Sequence, residues 1–174
     1  MLKADLLLQY IQGLKSISMN KNKRRWFWSI AALILLTIFF IKIPVFSFEF
    51  EDRTYYLIDQ TFQLKWIHSV EKEEWIETYK KSEDQLLLTE TYFKTFGAGV
   101  PSNSENTELV NGFVKMDIDL KYPELNLTVS ENVQTTILTD DREIPIYTFT
   151  SDYATVHITS KSIYLWQLIS GGLL

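Results

Sequence analysis

The chain of 174 residues contains no cysteine and only two histidines, His68 and His157. Without cysteine there is no disulfide, no thiolate metal site and no signal carrying a lipidated cysteine. With two isolated histidines and no HExxH pattern, a zinc-hydrolase ligand set is missing as well, so no metal and no cofactor are expected. Cations are scarce in the larger part of the chain. Residues 44–174 hold ten Lys/Arg against twenty-one acids, a net charge of −11, whereas residues 1–43 hold seven against one, a net charge of +6. Ten scattered cations cannot assemble the basic face that nucleic acid requires, which removes that class of partner. The acidic group Glu71, Glu73, Glu74 and Glu77 lacks the spacing and glycine of a calcium loop and reads as a solvated edge. Internal repeats, low-complexity tracts and a second globular boundary are also missing.

What is present begins with Trp26–Ile41, an apolar run that directly follows Lys21, Lys23, Arg24 and Arg25. As a helix this run covers roughly 24 Å, and extended to Phe48 about 34 Å, against a hydrocarbon core of about 30 Å. The basic flank and acidic remainder match the positive-inside tendency. The expectation is a single-pass cell-membrane protein: a cytoplasmic basic segment (1–25), an uncleaved transmembrane signal anchor (26–48) and an extracytoplasmic domain (49–174). Leu7, Ile11 and Leu14 recur at helical spacing before it, although Met19 is an equally good start of translation.

Period-two alternation dominates the chain beyond residue 50. Phe62, Leu64 and Trp66 alternate with Gln63 and Lys65; Val114, Met116, Ile118 and Leu120 alternate with Lys115, Asp117 and Asp119. Further strands are expected at 75–80, 86–96, 125–129, 133–138, 144–150, 155–159 and 162–168, with turns at 82–84, 97–104, 140–142 and 160–161, and a long loop at 102–110. Many short strands separated by turns predict an all-β domain, a β-sandwich or a small barrel.

Two motifs stand out. His68-Ser69-Val70-Glu71 comes directly after the first clear strand, and Phe96-Gly97-Ala98-Gly99-Val100-Pro101 comes about twenty-five residues later. His68 shares parity with Trp66, and Ser69 points the other way, so the two are poorly placed as nucleophile and base. Gly97 and Gly99 lack the helix and lysine that complete a phosphate loop and read as a turn with positive φ or close backbone approach. This ordered pair, with Glu77, Tyr79, Glu90 and Phe93 between, resembles an uncharacterised bacterial family, domain of unknown function number 1850. The resemblance implies a small protein with an N-terminal signal or anchor, often encoded beside TAXI-type TRAP transporters for organic acids. The expected function is therefore a membrane-anchored extracytoplasmic accessory or binding protein, partnered with an integral membrane transporter subunit. Its contact surface would be the edge made by His68, Ser69, Glu71, Gly97, Gly99 and Pro101. Two alternatives are an extracytoplasmic hydrolase using His68 or His157, and a structural cell-envelope protein.

Overall fold

The computed structural model describes residues 20–97, 99–102, 104 and 106–174; the helical spacing at Leu7–Leu14, Met19 and Ala98 lie outside them. In chain order the elements are α1 (Lys21–Phe39), β1 (Lys42–Glu49), β2 (Thr54–Leu57), β3 (Thr61–Ile67), β4 (Glu74–Ser82), β5 (Gln85–Phe93) and β6 (Asn106–Val110). They continue as β7 (Phe113–Tyr122), β8 (Leu125–Thr128), β9 (Thr136–Leu138), β10 (Glu143–Ile144), a 3-10 turn (Ile146–Thr148), β11 (Thr155–Tyr164), α2 (Gln167–Ser170) and β12 (Gly172–Leu173). Helix α1 and the region from Lys42 onward are separate compact units.

Asn20 caps α1 by accepting the Asn22 N–H at 3.2 Å, and the helix stops at Phe39, where the Phe40 N–H turns back to the Thr37 carbonyl and the Ile41 N–H to the Ile38 carbonyl. Its first turns are cationic, so the apolar part from Trp26 to Phe39 rises only about 21 Å, well short of the hydrocarbon thickness. Among the described residues, no helix is long and apolar enough to cross a membrane. This overturns the transmembrane anchor expected at Trp26–Phe48, and with it the single-pass topology and its cytoplasmic N-terminus. The cause is that one greasy run serves two structures. Residues 42–49 are a strand, and Val45, Phe46, Ser47 and Phe48 within it are fully buried.

That strand is central. β1 lies between β2 and β11 in a five-stranded sheet of order β12-β2-β1-β11-β8. The β12–β2 pairing is parallel and the others are antiparallel. A strand covered on both faces reads as continuous hydrophobic sequence, which period alone does not distinguish from a helix. Phe46 and Phe48 point into the main core, while Val45 packs on the other face with Tyr56 and Ile163.

The second sheet has seven antiparallel strands in the order β10-β9-β3-β4-β5-β7-β6. On its inner face the β3–β4 register pairs Phe62 with Tyr79, Leu64 with Glu77 and Trp66 with Trp75. Phe46 and Phe48 of the first sheet meet Phe62 edge-on at centroid distances of 4.7 and 5.6 Å. Lys81 on β4 adds a tie: its ammonium donates to the Pro44 and Ile58 carbonyls at 2.9 and 2.7 Å. The two sheets share a core, but each keeps free edges and neither closes on itself. The all-β sandwich or small barrel is thereby corrected to an open, mixed two-sheet, mostly-β fold with, among the described residues, two short helices.

The strands at 62–66, 75–80, 86–93, 114–120 and 125–128 fall where alternation placed them. Others differ. The expected loop at 102–110 contains β6, and the expected turn at Ser160–Lys161 is the middle of β11. Ser160 is buried there because its hydroxyl donates to the Glu83 carbonyl at 3.1 Å.

Candidate functional site

The proposed edge around His68 does bring distant motifs together. The Lys72 N–H donates to the His68 carbonyl at 2.9 Å and the His68 N–H to the Glu73 carbonyl at 2.8 Å, closing a tight turn after β3. Lys72 adopts a positive φ of 58° to complete it. This turn aims Glu71 back at the His68 ring, where Oε2 lies against Nδ1, a contact that is ionic only when the imidazole is protonated. The same carboxylate lies against Gly97, where a Cβ would collide with it. Gly97 is thus a close-approach glycine and Gly99, at φ 89°, a positive-φ glycine. Behind them His68, Trp75, Phe93 and Phe96 form a chain of rings 5.0–5.4 Å apart. Ser69 is exposed, and Pro101 lies farther along the loop. The space beside His68 and Glu71 amounts to about 10 Å³, no more than a single water requires.

A larger opening lies elsewhere. The chain leaves β7 at Tyr122 and enters β8 at Leu125, so Pro123 and Glu124 turn it from one sheet to the other within two residues. Between that corner and the inner face of β3–β4 is a cleft of about 380 Å³, within the range of small-molecule sites. Leu64, Trp66, Leu125, Leu127 and Val133 form its apolar wall. Glu77, Tyr79 and Tyr122 contribute the ionisable groups. Neither histidine and no lysine or arginine is among its described lining residues.

Alternation explains how a carboxylate comes to be there. Glu77 lies between Trp75 and Tyr79 on the core-facing parity of β4, opposite Leu64. The acidic edge expected of Glu71, Glu73, Glu74 and Glu77 therefore splits. Glu73 accepts from the Thr95 hydroxyl at 2.7 Å and Glu74 approaches Lys94 at 4.0 Å, both at the surface; Glu77 turns inward. The Tyr79 hydroxyl donates to Glu77 Oε2 at 2.5 Å. Burial pushes the Glu77 carboxyl above its ordinary range, and the hydrogen bond from Tyr79 only partly opposes this. Burial, then the nearby Glu77 charge, also pushes the Tyr79 and Tyr122 hydroxyls up. A signal for this site was in the sequence: a glutamate at core parity between two aromatics.

His157 belongs to neither place. It lies exposed on β11, on the face opposite Val156 and Ile158, with Nδ1 against Asn126 Oδ1 and with Glu49 as its register partner. No group of His, Asp and Glu able to hold a metal occurs among the described residues. His68 lies in the turn after β3 and His157 on β11 of the other sheet, and, among the described residues, no cavity gathers either with a serine, so a hydrolase centred on His68 or His157 is not supported. The membrane-anchored role beside a transporter loses its physical basis with the spanning helix.

Fold and site together define a mostly-β domain with an amphiphilic cleft between two open sheets. Residues 62–146 match the family described as Domain of unknown function (DUF1850), over part of the chain's length. The matched segment contains the strands of the seven-stranded sheet, but for Thr61 at the start of β3, together with β8 and all of the cleft's described lining residues. No curated protein and no solved structure matches the chain.

Proposed function

We propose that this domain is an accessory binding module that holds a small molecule, with an apolar body and one polar group, in the cleft between β8 and the β3–β4 face. The observation that carries this reading is Glu77: an ionisable group in a cleft lined mainly by apolar and aromatic side chains, with Asn126, Thr128 and Thr135 as its uncharged polar groups, where the sheets leave molecule-sized space. Carboxylates in such settings are costly unless they have a partner, and Tyr79 supplies only one hydrogen bond. The neutral alcohol 3,3-dimethylbutan-1-ol is a suitable first probe. The expected result is a saturable shift of the Trp66 indole N–H resonance that is lost when Leu127→Trp fills the cleft. If neither this alcohol nor its cationic or anionic counterpart moves Trp66, the cleft is not a binding site.

A second surface is favoured by a separate observation. Val70 and Phe96, in the turns on either side of the Glu71–Gly97 contact, are 73% and 69% exposed. Two bare apolar side chains beside a tight turn suit contact with a protein partner, as proposed for the edge made by His68, Ser69, Glu71, Gly97, Gly99 and Pro101. Val70→Asp, at an exposed turn position outside the strands, would abolish such a contact while leaving the fold intact.

A further inference from the structure

Resting on the cleft reading, we propose that the cleft selects a small organic ammonium ion, with Glu77 as its counter-charge and Trp66, Tyr79 and Tyr122 as its aromatic walls. Three features of the lining point the same way. The first is sign: Glu77 is the only charged side chain among the described lining residues, and no cation is present there to receive an anion. The second is ring chemistry. Trp66 stacks on Trp75 at 5.8 Å and Tyr79 on Phe62 at 5.4 Å, so each ring has one face taken by the core and can offer only its other face or edge to the cleft. Trp66, Tyr79 and Tyr122 line the cleft together with the carboxylate, and electron-rich rings near a carboxylate stabilise a poorly hydrated ammonium group.

The third feature is energetic complementarity. Among the described residues the Glu77 carboxylate has one hydrogen bond, from Tyr79, and no cationic partner in the lining; an ammonium ligand supplies an opposite charge at a largely buried position. At long range the net charge of −11 on residues 44–174 draws cations toward the domain and repels anions. The organic anion implied by the transporter neighbourhood therefore meets the wrong sign both at a distance and in the cleft. At about 380 Å³ the space suits a ligand with a compact head and a short tail.

Three molecules of nearly the same shape separate charge from size: choline, 3,3-dimethylbutan-1-ol and 3,3-dimethylbutanoate. Each is titrated into the full chain while the Trp66 indole resonance is monitored, with circular dichroism checking the fold of every variant. Choline is expected to bind at least about tenfold more tightly than the neutral alcohol, a difference of about 1.4 kcal/mol, and 3,3-dimethylbutanoate is expected to be the weakest of the three. Glu77→Gln keeps an acceptor for the Tyr79 hydroxyl and should erase the preference of choline over the alcohol. Tyr122→Leu should weaken choline more than the alcohol. Equal binding of choline and the alcohol to the wild-type protein, or a choline preference that survives Glu77→Gln, would overturn the cation assignment and leave the cleft as an apolar site. No effect of any probe on Trp66 would overturn the cleft reading as well.

Discussion

Single side chains carry the strongest consequences. Glu77 has a raised carboxyl pKa in the folded protein, so its contribution to stability is present below the unfolded pKa and is lost as pH rises through the folded one. Glu77→Gln should therefore be more stable than the wild type at pH 7, with the difference vanishing toward pH 4; urea midpoints measured across that interval test it. Thr91 makes a different kind of demand. It is fully buried and accepts the Trp75 indole N–H at 2.8 Å. Thr91→Val keeps the shape and strands that donor, at an expected cost of about 1–3 kcal/mol in chemical denaturation. Gly97→Ala would push the Glu71 carboxylate off its seat against His68 and should cost about 1–2 kcal/mol. A stability change below the error of the urea curve would show that Glu71 yields freely.

Among the elements, β1 decides the most. Its residues were legible as greasy but not as a strand, because Val45 and Ser47 on one face and Phe46 and Phe48 on the other are all buried and leave no polar alternation. Strands with one wet face, such as β3 and β7, were legible for the opposite reason: every second residue is polar. β6 was missed because Asn106–Val110 is an exposed edge strand with almost no core side chain to mark it. The candidate site shows the same division. The meeting of His68 and Glu71 with Gly97 arises from motifs that could be read directly. The cleft depends on β8 crossing to the other sheet, which no local pattern records. Phe46→Ala offers a test at this scale. A core position should lose about 3–5 kcal/mol of domain stability, whereas a residue in a lipid-embedded helix would leave the unfolding of residues 54–174 unchanged.

Across the whole molecule, charge and cavity act together. Anionic surface concentrates cations near the protein, and one inward carboxylate gives them a place to stop. Attraction by the surface is screened by salt, while the contact at Glu77 lies within the cleft and is screened less. Choline affinity should thus fall by only a few-fold between low salt and about 0.5 M, and the fall should persist in part in Glu77→Gln, which retains the surface charge. The most direct measurement is the carboxyl carbon resonance of Glu77, recorded against pH with and without saturating choline. A midpoint above the ordinary glutamate range in the free protein, moving down when choline is bound, is the expected result. An ordinary midpoint that choline leaves in place would contradict both the buried carboxylate and the cation it is held to receive.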